Sequence, residues 1–367
     1  MGGLKLDNVP SAPALPDLSL PAFIPWIYHG SRRTQPVTSA AVALPLARLI
    51  DFSANRPRFE TREALLQAFK LSDACQIVVT GTDRDKALER WWCLADRRPV
   101  IQGLLNLGVV AVTVPNYSLF EDVPRLDNLY NVKRIALTWS EIQREGLPCA
   151  IHLNARTDRD WARWLSFLNR HPEIGLVAVE FGTGAGYENR IQWHVNHLVS
   201  LAHQVSRPLR LIVRGGVQVL PKLAEAFSAV SLVDTRPFSK TCRRQRAFVV
   251  NGRLKWQKAP TVPGQPIHEL LNHNIETTEA TFTIAKPRFA PAPNLTHYDQ
   301  GSRAANDARN EPLQLGLLKE PFGEPGTSAV DGERVVTAAK SKLPIQIRDA
   351  DEQFPEAIAP TGTIREF

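Results

Sequence analysis

Residues 150–181, AIHLNARTDRDWARWLSFLNRHPEIGLVAVEF, contain the repeating unit that decides the fold. The segments at its two ends, residues 150–154 and 176–181, are short and nearly continuously apolar, which is typical of strands covered on both faces. Between them Thr157 opens a segment in which Trp161, Trp164 and Leu168 recur at helical spacing. The stretch therefore predicts a strand, a helix and a second strand of one parallel sheet.

The same alternation extends through the middle of the chain, with further helical patterns over 61–69, 83–94, 127–145, 190–204 and 217–228. The predicted strands cover residues 48–52, 76–80, 109–114, 150–154, 176–181, 209–214 and 230–233. About seven βα units with short connections are compatible with a doubly wound sheet or with a (β/α) barrel, complete or incomplete. Because no Gly-rich dinucleotide fingerprint follows the first strand, we expect the α/β barrel.

Proline and tryptophan set the expected boundaries of this core. Of 28 prolines, 20 lie in residues 1–57 and 260–367, whereas all but one of the eight tryptophans lie between these flanks. We predict a proline-rich N-terminal arm over 1–47, a barrel-like core over 48–259, and a largely disordered acidic tail over 260–367 that contains one short helix at 267–274. A terminal β-hairpin is predicted at 246–256, because Asn251-Gly252 suits a turn with positive φ.

The cysteines and the hydropathy pattern indicate a cytoplasmic protein. The four cysteines have no CxxC spacing, which favours free thiols in a reducing compartment, and no apolar run approaches the roughly 20 residues that span a bilayer. No zinc or iron–sulfur pattern is present, and His194 and His197 lack an evident third ligand. His152, within a strand, is interpreted as a core histidine. We therefore predict no metal, no cofactor and no membrane partner.

The positive charge is concentrated between residues 205 and 258, where twelve basic residues face two acidic ones in a chain of net charge +7. This clustering favours nucleic acid as a partner. The residues expected to bind it are Lys240, Arg243, Arg244, Arg246, Arg253 and Lys255. A solvated edge hairpin that uses its charges against aggregation is the alternative. The acidic tail is a candidate for binding a protein partner or for competing with nucleic acid.

Catalytic residues of parallel α/β folds lie past the carboxyl ends of the strands. Glu180 and Asp234 end apolar strands, where burial raises a carboxyl pKa toward values useful for acid–base catalysis. Both have structural alternatives: Glu180 can pair with an arginine, and Asp234 can cap the following turn. The residues expected to bind substrate at the same strand ends are Asn154, Arg156, Arg214 and Arg236.

The segment 114–134, VPNYSLFEDVPRLDNLYNVKR, resembles the signature of a bacterial and phage family known as domain of unknown function 4417. That resemblance implies a partial or full barrel encoded on plasmids, prophages and other mobile elements. Asn116 stands where the family usually has Asp, so if that carboxylate serves a reaction, Glu180 or Asp234 must carry the acid–base work here. Asn116 is a candidate catalytic position and Tyr117 a candidate substrate-binding residue, and a purely structural role of the block is the alternative. Asp127 or Asn128 is expected to cap the helix that follows.

The segment 233–256 is similar, more distantly, to part of the tRNA-guanine transglycosylases. The similarity implies that Asp234 acts as a nucleophile and that the basic region holds a polynucleotide, although the zinc-binding cysteines of those enzymes are absent. The expected function is a mobile-element or phage-associated barrel enzyme acting on a nucleotide or nucleic-acid base. Two alternatives stay open: a non-catalytic nucleic-acid-binding protein of a plasmid or prophage, and a barrel enzyme acting on a small molecule.

Overall fold

The computed structural model describes residues 3–182, 184–186, 188–262 and 264–282. The strands are β1 (Phe23–Pro25), β2 (Ala41–Pro45), β3 (Ile50–Asp51), β4 (Arg56–Pro57), β5 (Gln76–Thr80), β6 (Val109–Thr113), β7 (Cys149–His152), β8 (Leu176–Glu180), β9 (Arg210–Arg214), β10 (Ala229–Asp234), β11 (Gln245–Val250) and β12 (Arg253–Lys258). The helices are α1 (Leu46–Leu49), α2 (Arg62–Phe69), α3 (Asp85–Trp92), α4 (Arg98–Asn106), α5 (Arg125–Arg144), α6 (Asp158–Arg170), α7 (Glu188–Gln204), α8 (Leu220–Ala226), α9 (Arg236–Cys242) and α10 (His268–Ala280).

Eight parallel strands form one sheet in the order β1-β10-β9-β8-β7-β6-β5-β2. One parallel bridge between Trp26 and Ala43 connects the two edges, β1 and β2. The backbone N–H of Ile27 also donates to the carbonyl oxygen of Ala43 at 2.9 Å. The sheet is thus a nearly closed α/β barrel, which confirms the predicted fold class. It has eight strands, one more than the number of predicted units.

The first predicted strand is wrong. Residues 48–52 end α1 and enter β3, which pairs antiparallel with β4 in a separate two-stranded ribbon. Instead, β1 and β2, both within the predicted N-terminal arm, complete the barrel. Each of these strands ends in proline, at Pro25 and Pro45, a position where the missing N–H is tolerated. The core boundary at residue 48 is corrected accordingly.

The residues before β1 also belong to the folded unit. The Oγ of Ser140 donates to the carbonyl oxygen of Pro10 at 2.7 Å, and Arg210 Nη1 donates to that of Leu18 at 2.8 Å. Leu18 and Leu20 pack against the apolar residues that fill the barrel interior. Because Arg210 begins β9, these contacts place residues 18–20 at the amino-terminal end of the barrel.

Two apolar layers hold the barrel together. The interior of the barrel is filled mainly by small and β-branched side chains such as Ala43, Ala111, Ala150 and Ala178. The outer faces of the strands and the helices enclose a much larger cluster, in which Trp139 is fully buried. The narrow interior leaves room for longer side chains only near the ends of the strands, and this is where the polar residues lie.

The helix caps differ in part from the sequence-based expectation. α6 has its N-cap at Thr157, where the helical pattern opens, and Asp160 completes a capping box. α5 begins at Arg125, before the expected caps, and its N-cap Pro124 has no side-chain hydrogen bond. Asn128 instead accepts from the N–H and donates to the carbonyl oxygen of Phe120, at 2.9 and 2.7 Å. It therefore fixes the loop before the helix.

The chain after β10 forms α9, the hairpin β11–β12 and α10. The hairpin is the predicted one, with Asn251 and Gly252 at φ values of 51° and 71°. The predicted helix at 267–274 is confirmed and continues to Ala280. Asn274 of α10 is fully buried and accepts from the N–H of Ala247 at 2.7 Å, which attaches the hairpin to the helix. The remainder of the predicted acidic tail, residues 283–367, lies outside the described residues.

Candidate active site at the barrel mouth

Five neighbouring strands each place a polar side chain inside the carboxyl-terminal end of the barrel. Alternate residues of a strand face the same side, so the residue two positions after an interior residue also faces inward. The interior residues on these strands are Val78, Ala111, Ala150, Ala178 and Ile212. The residues two positions later are Thr80, Thr113, His152, Glu180 and Arg214. They form a polar layer above an apolar one, which is where barrel enzymes carry their active sites.

Glu180 and Arg214 form the centre of this layer. They are register partners on β8 and β9, and Nε of Arg214 donates a hydrogen bond to Oε2 of Glu180. The N–H of Gly182 donates to the other carboxylate oxygen, and the guanidinium lies 4.8 Å from the ring centroid of Trp26. The predicted alternative of an ion pair is therefore present, with Arg214 as the partner. Burial nevertheless raises the pKa of the Glu180 carboxyl, and Arg214 opposes this shift.

Two further side chains share the environment of this pair. Burial, with the positive charge of Arg214, lowers the pKa of His152 to about 3, and its Nε2 lies 3.3 Å from Oγ1 of Thr113. His152 is therefore a neutral hydrogen-bonding group at physiological pH. Burial also raises the pKa of Tyr28, whose phenol lies within the field of Arg214 and Glu180. Neither residue was among the predicted site residues.

A cavity of about 210 Å³ opens beside this layer. It is lined by residues 116 and 118–120 after β6, by residues 152–156 at the end of β7, by Val179 and Glu180, and by Ala185 and His194. Four predicted site residues, Asn116, Asn154, Arg156 and Glu180, thus lie around one cavity, and Arg214 contacts the last of them. The structure brings together five of the eight residues predicted for catalysis and substrate binding.

The two asparagines of the cavity hold each other in place. Nδ2 of Asn154 donates to Oδ1 of Asn116 at 3.1 Å and to the carbonyl oxygen of Tyr117 at 3.0 Å. The backbone N–H of Asn116 donates to the carbonyl oxygen of Gly81 at 2.9 Å. Within the described residues, Nδ2 of Asn116 and Oδ1 of Asn154 have no hydrogen-bond partner. One donor group and one acceptor are therefore available to a ligand in the cavity.

The outer wall of the cavity carries Arg156 and His194. Nε of Arg156 donates to the carbonyl oxygen of Leu119 at 2.8 Å, and Nη1 donates to Glu121 at 3.2 Å. His194 is 3% exposed, and burial together with nearby arginines lowers its pKa to about 4. The sequence pattern indicated His194 only as half of a metal pair. Its position on the inner side of α7 could be recognised only from the packing of the helix.

Asp234 and Arg236, both predicted for the mouth, lie elsewhere. Asp234 follows the interior residue Val233, so its side chain faces the helix layer. Nε of Arg236 donates a hydrogen bond to Oδ2 of Asp234 at 2.8 Å, and the backbone N–H of Arg236 donates to Oδ1 at 2.8 Å. The contacts thus match the structural alternative, in which Asp234 caps the following turn. The guanidinium lies 5.7 Å from the ring centroid of Phe282, outside the cavity.

Tyr117 also lies away from the mouth, in contrast to its prediction. It is 1% exposed, and its ring is 3.7 Å from the guanidinium carbon of Arg134 and 6.1 Å from the ring centroid of Trp92. Burial raises its pKa above the ordinary tyrosine range. Tyr117 therefore anchors the loop after β6 to α5 and α3.

The hairpin gathers three of the predicted nucleic-acid-binding residues on one face. Residues directly opposite in an antiparallel pair point to the same side. Phe248 pairs with Lys255, and the same face carries Arg246 and Arg253 two residues away on each strand. The three cations are exposed, and Phe248 is partly exposed between them. We name this set, Arg246, Phe248, Arg253 and Lys255, the basic hairpin face.

The other three basic residues are not on that face. Lys240 belongs to α9, and its Nζ lies 5.8 Å from the ring centroid of Trp256, which faces the opposite side of the hairpin. Arg243 and Arg244 form the turn between α9 and β11, where Arg244 has a φ of 53°. The predicted patch of six residues is therefore divided between two faces and a turn.

No group of three or more metal-ligating side chains occurs among the described residues. In that same part of the chain, no helix is both long and apolar enough to span a membrane.

Comparisons with known proteins do not identify a family for this chain. No family model matches the sequence, and no curated protein matches it. Among solved structures, the chain is similar to tryptophan synthase subunit alpha from Legionella pneumophila str. Paris, with 12% identity, a TM-score of 0.37, and coverage of 70% of this chain and 92% of that one. It is also similar to the 4-hydroxy-2-oxoglutarate aldolase/2-deydro-3-deoxyphosphogluconate aldolase from TTHB1, with 14% identity, a TM-score of 0.27, and coverage of 65% and 80%.

Proposed function

We propose that the protein is an enzyme in which Glu180 moves protons to and from a small polar substrate bound at the barrel mouth. One observation carries this proposal: Glu180 lines the cavity, is buried enough to raise its pKa, and is held in position by Arg214. A carboxyl group whose pKa is raised in this way holds its proton more readily than a free one, which suits it to donate and accept protons. Arg214, with its guanidinium against Trp26, does not line the cavity and acts by holding the Glu180 carboxylate in place.

We propose a nucleobase or nucleotide as the substrate class. The cavity of about 210 Å³ has room for a single heterocyclic ring system. Asn116 and Asn154 offer an amide donor and an amide acceptor side by side, an arrangement that reads the edge of a base through paired hydrogen bonds. A base within a polynucleotide would have to leave its stack to enter the cavity.

The test compares Glu180→Gln with Asp234→Asn in the full chain. Purified protein is incubated with free bases, nucleosides, nucleotides and short oligonucleotides, and products are identified by mass spectrometry. Glu180→Gln should lower turnover by about 100-fold or more, because it keeps the shape of the side chain and removes its proton transfer. Asp234→Asn should retain turnover within a few-fold, because Asp234 faces the helix layer.

Two results would contradict the proposal. If only Asp234→Asn lost turnover, the chemistry would lie on the other side of β10. If none of the four substrate classes were altered by the wild-type protein, the nucleobase class would be wrong.

The basic hairpin face favours a second candidate function, namely a nucleic-acid-binding protein of a mobile element that has no catalytic role. Three exposed cations surround Phe248, a composition suited to phosphate contacts and to stacking of a base. In this case oligonucleotide binding should survive Glu180→Gln. It should weaken in the triple variant Arg246→Glu, Arg253→Glu, Lys255→Glu, with the logarithmic salt slope falling by about one for each phosphate that the protein no longer neutralises.

The control for this second test is Lys222→Glu. Lys222 is an exposed cation whose Nζ donates to Oδ1 of Asn196, away from the hairpin. If this single variant reduced the salt slope per charge as much as the triple variant does, the binding would reflect net charge, and the hairpin face would have no specific role.

A further inference from the structure

We propose that the cavity contains a second subsite, formed by His194 and Arg156, that binds an oxyanion group of the ligand, a phosphate or a carboxylate. This inference rests on the proposed function, since it assigns an anionic substituent to the substrate. The geometry of the cavity, the environment of His194 and the distribution of charge support it independently of each other.

The cavity extends around the carboxyl end of β8. Val179 and Glu180 are consecutive residues of that strand, so their side chains point to opposite faces, and both line the cavity. Glu180 bounds the part inside the barrel, whereas Val179 and His194 bound the part against α7. A ligand that reaches both parts presents different groups to the two sides of the strand.

His194 packs among aromatic rings, but its ring nitrogens have no hydrogen-bond partner among the described residues. Its ring centroid lies 4.7 Å from that of Trp193, 6.0 Å from that of Trp161 and 6.5 Å from that of Phe181. Its Nδ1 is buried and has no hydrogen-bond partner among the described residues. Because Nδ1 is closed off from the cavity, a ligand can meet only the Nε2 edge of the ring, which also has no hydrogen-bond partner among the described residues. An unpaired imidazole nitrogen in the wall of a cavity indicates that a ligand group completes it.

The charges around His194 determine what kind of group it can bind. The arginines that lower its pKa are Arg190 and Arg156, and the imidazole is neutral at physiological pH, where it donates one N–H. Arg190 donates through Nη2 to the carbonyl oxygen of Arg156 at 3.0 Å, and its own Nε is buried without a partner in the described region. Of the described residues that line the cavity, only Glu180 is acidic, and it is engaged by Arg214. Arg156 pairs with the exposed Glu121 at 3.2 Å, whereas Arg190 has no acidic partner among the described residues. A net positive charge therefore remains near this end of the cavity and favours an oxyanion.

The experiment measures binding of inorganic phosphate and of acetate to the full chain by calorimetry and by NMR of labelled histidines. His194→Gln should weaken binding of the preferred anion at least tenfold. The matched control is His197→Gln, because His197 lies on the same helix and does not line the cavity. Its Nε2 lies 3.0 Å from Oδ1 of Asp158. This control should change the affinity less than twofold. Phosphate binding with no acetate binding assigns a phosphorylated ligand, and the reverse assigns a carboxylate.

The outcomes separate this inference from the proposed function. Glu180→Gln should keep anion binding while turnover is lost, which supports both. If neither anion binds, or if His194→Gln binds as tightly as the wild type, the subsite is refuted while the role of Glu180 stands. Should His194→Gln fail to fold, the wild-type spectra decide the matter: the subsite requires that the His194 signals shift on addition of the anion while those of His197 do not, and the opposite pattern overturns it.

Discussion

Replacement of Arg214 by Met should destabilise the protein strongly and in a pH-dependent manner. The Glu180 side chain is 4% exposed and that of Arg214 is 22% exposed. Removing the guanidinium leaves a buried carboxylate with the N–H of Gly182 as its nearest backbone donor. Breaking a buried ion pair by removing one partner costs about 3–5 kcal/mol, because the remaining charge loses its counter-charge. We expect a loss of this size at pH 8.

The sign of the pH dependence follows from the direction of the pKa shift. Burial raises the pKa of Glu180 above its ordinary value of 4.5, and the Arg214 charge opposes that rise. Without Arg214 the pKa in the folded state is higher still. A group whose pKa is raised on folding contributes stability below its unfolded pKa and loses it as the pH rises through the folded pKa. The destabilisation by Arg214→Met should therefore shrink as the pH falls from 8 toward 5.

The assay is urea unfolding of four proteins at several pH values: the wild type, Arg214→Met, Glu180→Gln and the double variant. The double variant should recover most of the stability that Arg214→Met loses at pH 8, because no unpaired charge remains. An interaction energy of about 2–3 kcal/mol between the two sites is expected for contacting residues. An equal loss at pH 5 and pH 8, or a double variant no more stable than Arg214→Met, would show that an unpaired Glu180 charge is not the cause of the loss.

Three other substitutions examine parts of the fold that position the site. In Gly81→Ala the new Cβ would lie 2.4 Å from the carbonyl group of Val114, so the loop that carries Asn116 must move. Turnover should fall, whereas circular dichroism should show that the protein stays folded. Asn274→Ala should cost about 3 kcal/mol and speed hydrogen exchange of the Ala247 amide, because Asn274 is fully buried and accepts from that N–H. Thr157→Ala should cost about 0.5–2 kcal/mol in urea unfolding, since it removes the N-cap of α6.

The middle strands could be located from the sequence because they are buried on both faces. Strands such as β5 and β8 consist mainly of valine, isoleucine, leucine and alanine, and their bounds differ from the predicted ones by no more than a residue. β1 could not be found in this way. It has three residues and ends in Pro25, so it is too short to show a pattern and carries the residue that argued against a strand.

The search for polar residues at the carboxyl ends of the predicted strands identified part of the site, and the residues that it missed have identifiable features. Glu180 and Arg214 are charged residues that end apolar strands, which makes them visible in the sequence. His152 is the residue two positions after the interior Ala150, a signal that was present, but as a lone histidine it was interpreted as part of the core. Trp26 lies in the predicted proline-rich arm, so the sequence does not indicate that it belongs to the barrel. His194 enters the cavity through the packing of α7, which no local pattern encodes.

The contrast between Glu180 and Asp234 shows why a carboxylate at a strand end is an incomplete criterion. Both are the last residues of their strands, yet Glu180 is two residues after the interior Ala178, whereas Asp234 is one residue after the interior Val233. A one-residue difference in register reverses the face, and sequence patterns locate strand ends with less accuracy than that.

The outward position of Asp234 gives it a structural role at the junction between the barrel and the segment α9 to α10. Its partner Arg236 lies against Phe282, and Phe282 stacks on Phe23 of β1 with ring centroids 5.5 Å apart. The ion pair thus connects the end of β10 to the residues just after α10, between which the hairpin is inserted. Any effect of Asp234→Asn on oligonucleotide binding should accordingly come with faster hydrogen exchange in the hairpin, whereas a nucleophile would change turnover and leave that exchange unaltered.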